Sequence, residues 1–293
     1  MIDSSYTGRI VDFRVRPPFR SFRTAFHPGR EPEKSDDELM EGFIGEMDEA
    51  GIALAVAMGR TVRLPHARAA GVVGGNVSND DVEALVAGYP GRFVGFGSVD
   101  VLDGEVALRE VDRCAERGFA GVAFFNPAQT PPLHDDDESL LPIYERCAAR
   151  GLIVSITSSM MVGPDMSYSM PIHIQRVALA FPDLPIVVPH GAWPWTKEIT
   201  GVVLQGLLFG SSRVYLAPDF YLSQEGLPGR GDFVEMADDA GGFGLDGRLL
   251  FASSYPALPL AESIATLEAT RFQNPDARRR IFRDNAAGLL GLD

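Results

Sequence analysis

Two arginines spaced two residues apart stand at the end of the first apolar segment of the chain. The segment RIVDFRVRPP, residues 9–18, has the apolar and β-branched content of a buried strand and carries Arg14 and Arg16. Because side chains alternate between the faces of a strand, we expect Phe13 and Val15 on one face and both arginines on the other. Two adjacent guanidinium groups need an anion nearby, either an internal carboxylate or a carboxylate or enolate of a substrate.

The residues that follow other apolar segments are also polar. His190 ends PIVVPH at residues 185–190, and Asp219 follows RVYLAP at residues 213–218. Histidine titrates close to neutral pH, so we predict that His190 transfers a proton and that Asp219 orients its ring by a hydrogen bond. The other polar residues at the ends of apolar segments are Arg60, Asp100, Asn126, Thr157, Ser253 and Ser254. Those at positions 100, 126 and 157 fit helix caps and turns equally well.

Aromatic side chains follow His190 closely. Trp193 and Trp195 are the only tryptophans in the chain, and we predict that they give a planar substrate a surface to pack against. The other residues predicted to contact the substrate are Ser254, Tyr255, Tyr221 and Tyr168. The remaining histidines, which we predict to be surface or capping residues, are His27, His66, His134 and His173.

Eight apolar segments alternate with amphipathic segments along the chain. They cover residues 9–13, 53–58, 92–99, 120–125, 152–157, 185–190, 213–218 and 248–253. Amphipathic helices are predicted between them, with Gly51, Gly118 and Gly151 as helix-ending residues. This alternation predicts an α/β fold, a (β/α)8 TIM barrel, formed by one domain over residues 1–293. An open doubly wound sheet is the alternative, although no apolar segment precedes a glycine-rich dinucleotide motif.

Composition excludes several classes of protein. The formal net charge of −14 opposes binding to nucleic acid or to an anionic membrane surface. No apolar run approaches the roughly 18 residues of a membrane span, and residues 1–9 lack a secretory signal pattern. Cys114 and Cys147 have neither metal-binding nor redox spacing. We therefore expect a cytoplasmic protein that binds a small anionic organic molecule; a homodimer is compatible with the sequence, but no segment demonstrates one.

Several motifs resemble those of the amidohydrolase superfamily, in the branch that contains aminocarboxymuconate semialdehyde decarboxylase. The segment RFVGFGSVDVLDGEVALREVDRCAERGFAGVAF is similar to the third strand, helix and fourth strand of that family. LPIVVPHGAWPW is similar to its sixth strand, LLFASSYPALPL to its eighth-strand motif and DNAAGLLGL to its closing helix. The resemblance covers nearly the whole chain, and it implies a TIM barrel with hydrolase or decarboxylase chemistry.

The chain departs from the metal-binding pattern of the family it resembles. The resemblance places Arg14 and Arg16 where the family has two metal-binding histidines, Thr157 near its fifth-strand histidine and Ser254 at its eighth-strand aspartate. A guanidinium group has no lone pair to donate and repels a divalent cation. We therefore expect no metal and no other cofactor. The alternative is a rearranged metal site formed by His190, Asp219 and Asp100.

These features together predict a metal-independent hydrolase of the amidohydrolase type. Its expected substrate is a small carboxylated cyclic or aromatic compound, a lactone or an amide, with the proton moved by His190. The residues predicted to bind the anion are Arg14, Arg16 and Arg60. One alternative is a non-oxidative decarboxylase or a dehydratase, both lyases, acting on a similar substrate. Another is a catalytically inactive barrel that binds a ligand.

Overall fold

Seven parallel strands form one sheet whose order follows the sequence. The computed structural model describes residues 10–27, 29, 33–63, 75–160, 162–163, 165–219, 243–270, 272 and 274–292. The strands are β1 (Ile10–Val15), β2 (Ile52–Met58), β3 (Phe93–Ser98), β4 (Gly121–Phe124), β5 (Ile153–Ile156), β6 (Pro185–Pro189) and β7 (Arg213–Ala217). Each strand pairs in parallel with the next, in the order β1 to β7. These strands confirm seven of the eight predicted from the apolar segments.

Helices follow the strands and cover the outside of the sheet. The α-helices in the described residues are α1 (Arg20–Phe26), α2 (Asp36–Glu49), α3 (Asn79–Gly88), α4 (Gly104–Glu116), α5 (Leu141–Ala149), α6 (Pro171–Ala180), α7 (Thr196–Phe209), α8 (Leu260–Ala269), α9 (Ala277–Arg279) and α10 (Asn285–Leu290). A π-helical turn, Arg280–Asp284, joins α9 to α10. Short 3₁₀ turns cover Asn126–Ala128, Glu138–Leu140, Met166–Ser169, His190–Ala192 and Leu245–Arg248. None of the helices in these described ranges is long and apolar enough to cross a membrane.

Local sequence explains where the helices begin and end. The Ser35 side chain accepts from the backbone N–H of Glu38, and the Glu38 side chain accepts from the N–H of Ser35, so a capping box starts α2. Gly51, Gly118 and Gly151 follow α2, α4 and α5 with φ of +73°, +74° and +68°, respectively. Glycine adopts this left-handed backbone without a steric penalty, which is why these helices stop there.

The prediction of a regular eighth strand at residues 248–253 is wrong. Leu249 within this segment makes an isolated bridge to Leu216 of β7, and Tyr255, just after it, makes one to Val15 of β1. Asp12 explains the interruption, because its Oδ1 accepts hydrogen bonds from the amides of Arg14 at 3.1 Å and Ser253 at 3.0 Å. A side chain thus satisfies backbone donors between β1 and this segment. The bridges still connect β7 to β1 through the segment, and the fold is a TIM barrel.

Apolar side chains form two layers around this sheet. The inner layer fills the barrel with residues that include Val11, Phe13, Phe96, Val187 and Leu250. The outer layer packs the strands against the helices and contains both buried cysteines. A Cβ at Gly97 of β3 would lie 2.2 Å from the Cys114 sulfur, so glycine at this position lets α4 approach the sheet closely. Packing in the two layers fixes the C-terminal ends of β1, β6 and β7 relative to one another.

Candidate active site

The end of β1 breaks the strict alternation expected from the sequence. Phe13 lies in the inner layer, where its ring centroid is 5.7 Å from that of Phe96. Val15 packs in the outer layer, so the expectation that it shares a face with Phe13 is wrong. The pairing of β1 with β2 shifts register between Asp12 and Val15, and this irregularity changes the direction of the side chains that follow it.

Arg14, His190 and Asp219 form a closed hydrogen-bonded group at the C-terminal ends of β1, β6 and β7. Arg14 Nη1 donates to Asp219 Oδ2 at 2.6 Å and lies 2.9 Å from His190 Nε2. His190 Nδ1 lies 2.6 Å from Asp219 Oδ1. Because a carboxylate only accepts, the contact with Asp219 assigns the Nδ1–H tautomer to His190, with Nδ1–H donating to Asp219. Arg14 Nη1 also lies 3.4 Å from Nδ1, so its guanidinium packs against the face of the imidazole ring. We name these three residues the Arg14–His190–Asp219 group.

Backbone strain accompanies this group. His190 has a φ of +60°, Ala192 has +53° and Ser254 has +58°, values that L-residues other than glycine rarely adopt. Such strain persists where the surrounding structure enforces it, and it concentrates at functional sites. The strained turn His190–Ala192 directly follows β6 and places the imidazole at the mouth of the barrel.

Burial and neighbouring charges set the protonation of the group. Burial, together with Arg14 and Arg16 and against the attraction of Asp219, lowers the pKa of His190 to about 4. Burial alone would raise the pKa of Asp219, but His190 and Arg14 outweigh it and hold that pKa below its usual range. At neutral pH the imidazole is therefore neutral and the carboxylate is ionised. The assumption that His190 titrates close to neutral pH is therefore wrong for the substrate-free protein.

Arg16 lies beside this group, joined to it through Ser254. Arg16 Nη1 donates to the carbonyl oxygen and to Oγ of Ser254, both at 2.9 Å. Ser254 Oγ in turn donates to Asp219 Oδ2 at 3.0 Å. The structure thus brings Arg14 of β1, Arg16 just after it, and Ser254 to the predicted catalytic pair of His190 and Asp219.

Phe26, at the end of α1, makes cation–π contacts with two of the predicted anion-binding arginines. The guanidinium carbon of Arg16 lies 4.7 Å from the Phe26 ring centroid, and that of Arg60 lies 4.3 Å from it. Arg60 Nε also donates to the Gly75 carbonyl at 2.9 Å. Burial and the charge of Arg14 lower the pKa of Arg60 to about 10, so that it remains a cation at neutral pH. The sequence analysis missed Phe26; a helical phenylalanine close to the arginine pair was the available signal.

Other predicted site residues have contacts outside the Arg14–His190–Asp219 group. The Tyr255 ring packs 4.6 Å from that of Phe43 in α2, between strands and helices. The N–H of Trp193 donates to the carbonyl oxygen of His190 at 3.0 Å, and its side chain is buried. Trp195 is half-buried and is the N-cap residue of α7. Asp100 forms an ion pair with Arg63 at 2.9 Å rather than with Arg14 or Arg16. Tyr221 and His66 lie outside the described residues.

The remaining histidines have local partners. His27 is the C-cap residue of α1, a predicted role, but its side chain is buried and its Nε2 lies 2.7 Å from the Arg16 carbonyl oxygen. The expectation of a surface position for it is therefore wrong. His134 stacks between Tyr168 and His173, with centroid distances of 4.3 and 4.2 Å. These contacts assign His27 to the support of Arg16 and place His134 and His173 in a separate cluster.

A divalent cation does not fit the Arg14–His190–Asp219 group. The Nη1 atom of Arg14 lies 2.9 Å from His190 Nε2 and 2.6 Å from Asp219 Oδ2, so a metal ion bound to either atom would lie close to a fixed positive charge. In the described part of the chain, no three or more His, Cys, Asp or Glu side chains are grouped to hold a metal ion. The residues present therefore place a fixed organic cation beside the two potential ligands.

Comparison with known proteins identifies the family. A family model described as amidohydrolase matches residues 24–292. The chain belongs to the amidohydrolase family. A 2-amino-3-carboxymuconate-6-semialdehyde decarboxylase from Dictyostelium discoideum is 36% identical over 88 residues, which span 30% of this chain and 24% of that protein's length.

Solved structures resemble this chain over nearly its whole length. An uncharacterized TIM-barrel protein from Bordetella bronchiseptica is 34% identical, with a TM-score of 0.81 and coverage of 97% of this chain and 98% of that one. A dihydroxybenzoic acid decarboxylase from Polaromonas sp. JS666, solved with bound manganese and 2-nitroresorcinol, is 20% identical, with a TM-score of 0.67 and 97% coverage of each chain. At that identity the likeness shows the fold.

Asp12 supports a prediction about the pH dependence of stability. Its Oδ2 is buried without a partner among the described residues, and burial raises the pKa of the carboxyl to about 7. The unfolded carboxyl ionises near pH 4, so the folded protein holds one more proton between about pH 4 and pH 7. The free energy of unfolding therefore falls as the pH rises through that window.

Asp12→Asn should flatten this decline, because asparagine keeps an oxygen for the two amides and cannot ionise. Urea denaturation at about pH 5 and about pH 7 should show a decline smaller by on the order of 2 kcal/mol in Asp12→Asn than in the wild type. Equal declines in the two proteins would contradict a protonated Asp12 in the fold.

Proposed function

We propose that this member of the amidohydrolase family is a metal-independent lyase that releases the carboxylate of a small cyclic or aromatic acid as CO₂. The observation that carries the proposal is the Arg14–His190–Asp219 group, where a guanidinium nitrogen joins a neutral imidazole and a carboxylate. The fixed cations stabilise the negative charge that develops when the carboxylate departs, without a metal ion. The hydrolase expected first from the sequence is less well supported, because the curated relative is a decarboxylase.

The reaction leaves one electron pair on a ring carbon and transfers one proton to that carbon. The bond between the ring carbon and the carboxylate breaks, its electron pair stays on the ring carbon, and that carbon takes a proton as CO₂ leaves. His190 is the proposed proton donor, through Nε2. An anion bound beside Arg14 competes for its N–H groups and raises the pKa of His190, because a negative charge favours the imidazolium form.

Asp219 supports this role from the other side of the ring. Its Oδ1 holds the Nδ1–H of His190, so that Nε2 is the nitrogen that gains and loses the proton. Hydrolysis of a lactone or an amide would instead use the neutral imidazole of His190 as the base that activates water. Decarboxylation needs no such base.

The proposal is tested by incubating the purified protein with carboxyl-labelled hydroxybenzoates and with carboxylated lactones and amides. We expect release of labelled CO₂ in equal amount to the loss of one of the acids. Ring opening or amide cleavage without CO₂ would identify a hydrolase instead. Tight binding without turnover of any compound would identify a ligand-binding barrel.

Metal analysis gives a separate prediction. The protein purified after expression in manganese- and zinc-supplemented medium should contain well under one equivalent of either metal per chain, because Arg14 repels a cation at this position. Decarboxylation should also survive treatment with a chelator. Stoichiometric manganese or zinc, lost together with activity on chelation, would overturn the metal-independent assignment.

A further inference from the structure

Ser254 is a fully buried residue whose hydroxyl lies between a cation and a carboxylate. Its Oγ lies 2.9 Å from Arg16 Nη1 and 3.0 Å from Asp219 Oδ2. A guanidinium group only donates and a carboxylate only accepts, so the hydroxyl accepts from Arg16 and directs its hydrogen to Asp219. The single donor of this hydroxyl is therefore committed to Asp219, which leaves none for a substrate.

Backbone hydrogen bonds hold Ser254 in a conformation that serine rarely adopts. Its φ is +58°, in the left-handed region. Its N–H donates to the Arg14 carbonyl at 3.0 Å, and its own carbonyl accepts from Arg16 Nη1 at 2.9 Å and from the N–H of Ala257 at 3.1 Å. These bonds fix Ser254 to the end of β1, and strain that the surroundings enforce in this way concentrates at functional sites.

The Asp219 carboxylate receives hydrogen bonds on both of its oxygens. Oδ2 accepts from Arg14 Nη1 at 2.6 Å and from the Ser254 hydroxyl, and Oδ1 accepts from Nδ1–H of the imidazole at 2.6 Å. A carboxylate with donors on both oxygens cannot rotate without losing hydrogen bonds, so its plane is fixed relative to the ring of His190. Each donor on Oδ2 also draws negative charge away from the oxygen that faces His190.

We propose that Ser254 is a positioning residue, whose hydroxyl holds the Asp219 carboxylate against Nδ1–H of His190 and links that carboxylate to Arg16. The Ser254 hydroxyl bonds to Asp219 rather than to the imidazole, so it acts on the proton transfer through the carboxylate. The inference rests on the proposed function for the reaction in which the proton moves. The coupling of Ser254 to His190, in contrast, is a property of the substrate-free protein and can be measured there.

The charge on Asp219 controls how readily His190 takes a proton. Burial lowers the pKa of His190, Asp219 raises it, and two neighbouring arginines lower it. These arginines are Arg14 and Arg16. Asp12 also interacts with Asp219, but burial raises the pKa of Asp12 to about 7, so this carboxyl is protonated in the pH range where His190 titrates. Removal of the Ser254 hydroxyl leaves more negative charge on Asp219 and should therefore raise the pKa of His190.

Histidine NMR of the substrate-free protein tests this role without turnover. A pH titration of the ring nitrogens in ¹⁵N-labelled protein gives the pKa of His190, whose signals are identified by their absence in His190→Asn. Ser254→Ala should raise the pKa of His190 by about 0.5 to 1, because it removes one of the two donors on Asp219 Oδ2. An unchanged or lowered pKa would overturn the proposal.

Two further variants separate the hydroxyl from the strained backbone and from burial. Ser254→Gly also lacks the hydroxyl but adopts a φ of +58° without strain, so it should give the same rise and serves as the test should Ser254→Ala fail to fold. Ser155→Ala is the matched control, since Ser155 is equally buried and its Oγ lies 3.5 Å from Met58 Sδ. It should leave the pKa of His190 within about 0.2 of the wild-type value. A rise as large as that in Ser254→Ala would contradict a specific link to Asp219.

Kinetics distinguish failure of this role from failure of the proposed function. On an acid that the protein decarboxylates, Ser254→Ala should lower kcat about 5- to 50-fold and change KM by less than about threefold, because the hydroxyl positions Asp219 and does not bind the substrate. A raised KM with an unchanged kcat would make Ser254 a substrate-binding residue and overturn the proposal. A protein that shows the rise in the pKa of His190 but releases no CO₂ from any acid would retain the positioning role and lose the proposed lyase function.

Discussion

Arg14→Met should lower the free energy of unfolding by about 3–5 kcal/mol, because it leaves a fully buried carboxylate without its cationic partner. The Asp219 side chain has 0% exposure and that of Arg14 has 6%, so solvent cannot replace the guanidinium. Urea denaturation at neutral pH, followed by circular dichroism, measures the loss. A decrease below about 1 kcal/mol would mean that the ion pair is not a buried element of the fold.

A double variant distinguishes loss of the charge pair from loss of packing. Arg14→Met combined with Asp219→Asn removes both charges. The loss in the free energy of unfolding of the double variant should therefore be about 1–3 kcal/mol smaller than the sum of the losses in the two single variants. Arg63→Met is the control, since the Arg63 and Asp100 side chains are 44% and 29% exposed. Its effect should stay within about 1 kcal/mol. Simple additivity of the Arg14 and Asp219 changes would contradict their coupling.

The sequence predicts most of the fold because the apolar segments and helix caps are local signals. Seven predicted strands are present, and glycines follow three helices as the pattern indicates. The segment 248–253 has the same apolar content and still forms only isolated bridges. This segment lacks a regular strand because Asp12, about 240 residues away in sequence, accepts the hydrogen bond of the Ser253 amide through its side chain. A contact at such a separation leaves no local pattern.

The candidate site is predictable to a similar extent and for similar reasons. Parallel strands in a barrel bring their C-terminal ends to one face, so the proximity of Arg14, His190 and Asp219 follows from the fold. The direct contact of Arg14 with Nε2 does not follow, and it contributes to the lowered pKa of His190. Phe26 lies in a segment that gave no strand or core pattern, and its role depends on two arginines from different strands.

His190→Asn should lower kcat for decarboxylation by about 10²- to 10⁴-fold, the range expected for removal of a positioned proton donor. Asparagine suits this position structurally, because its side-chain amide can donate to Asp219 as Nδ1–H does, and it tolerates the left-handed backbone at φ +60°. The variant therefore removes Nε2 while keeping the fold. Steady-state kinetics on the acid identified by CO₂ release measures the effect, with His173→Asn as control, since His173 pairs with Asp136 outside the site.

The pH dependence of kcat/KM tests whether His190 acts as the acid. A group with a pKa of about 4 in the free protein is increasingly protonated as the pH falls toward that value, so wild-type kcat/KM should rise from about pH 8 to about pH 5. His190→Asn should lack this rise, because asparagine does not titrate. A rise of equal slope in both proteins, or a kcat for His190→Asn within tenfold of the wild type, would assign the proton to another donor. The bound anion raises the pKa of the imidazole, so the profile of kcat should lie at higher pH than that of kcat/KM.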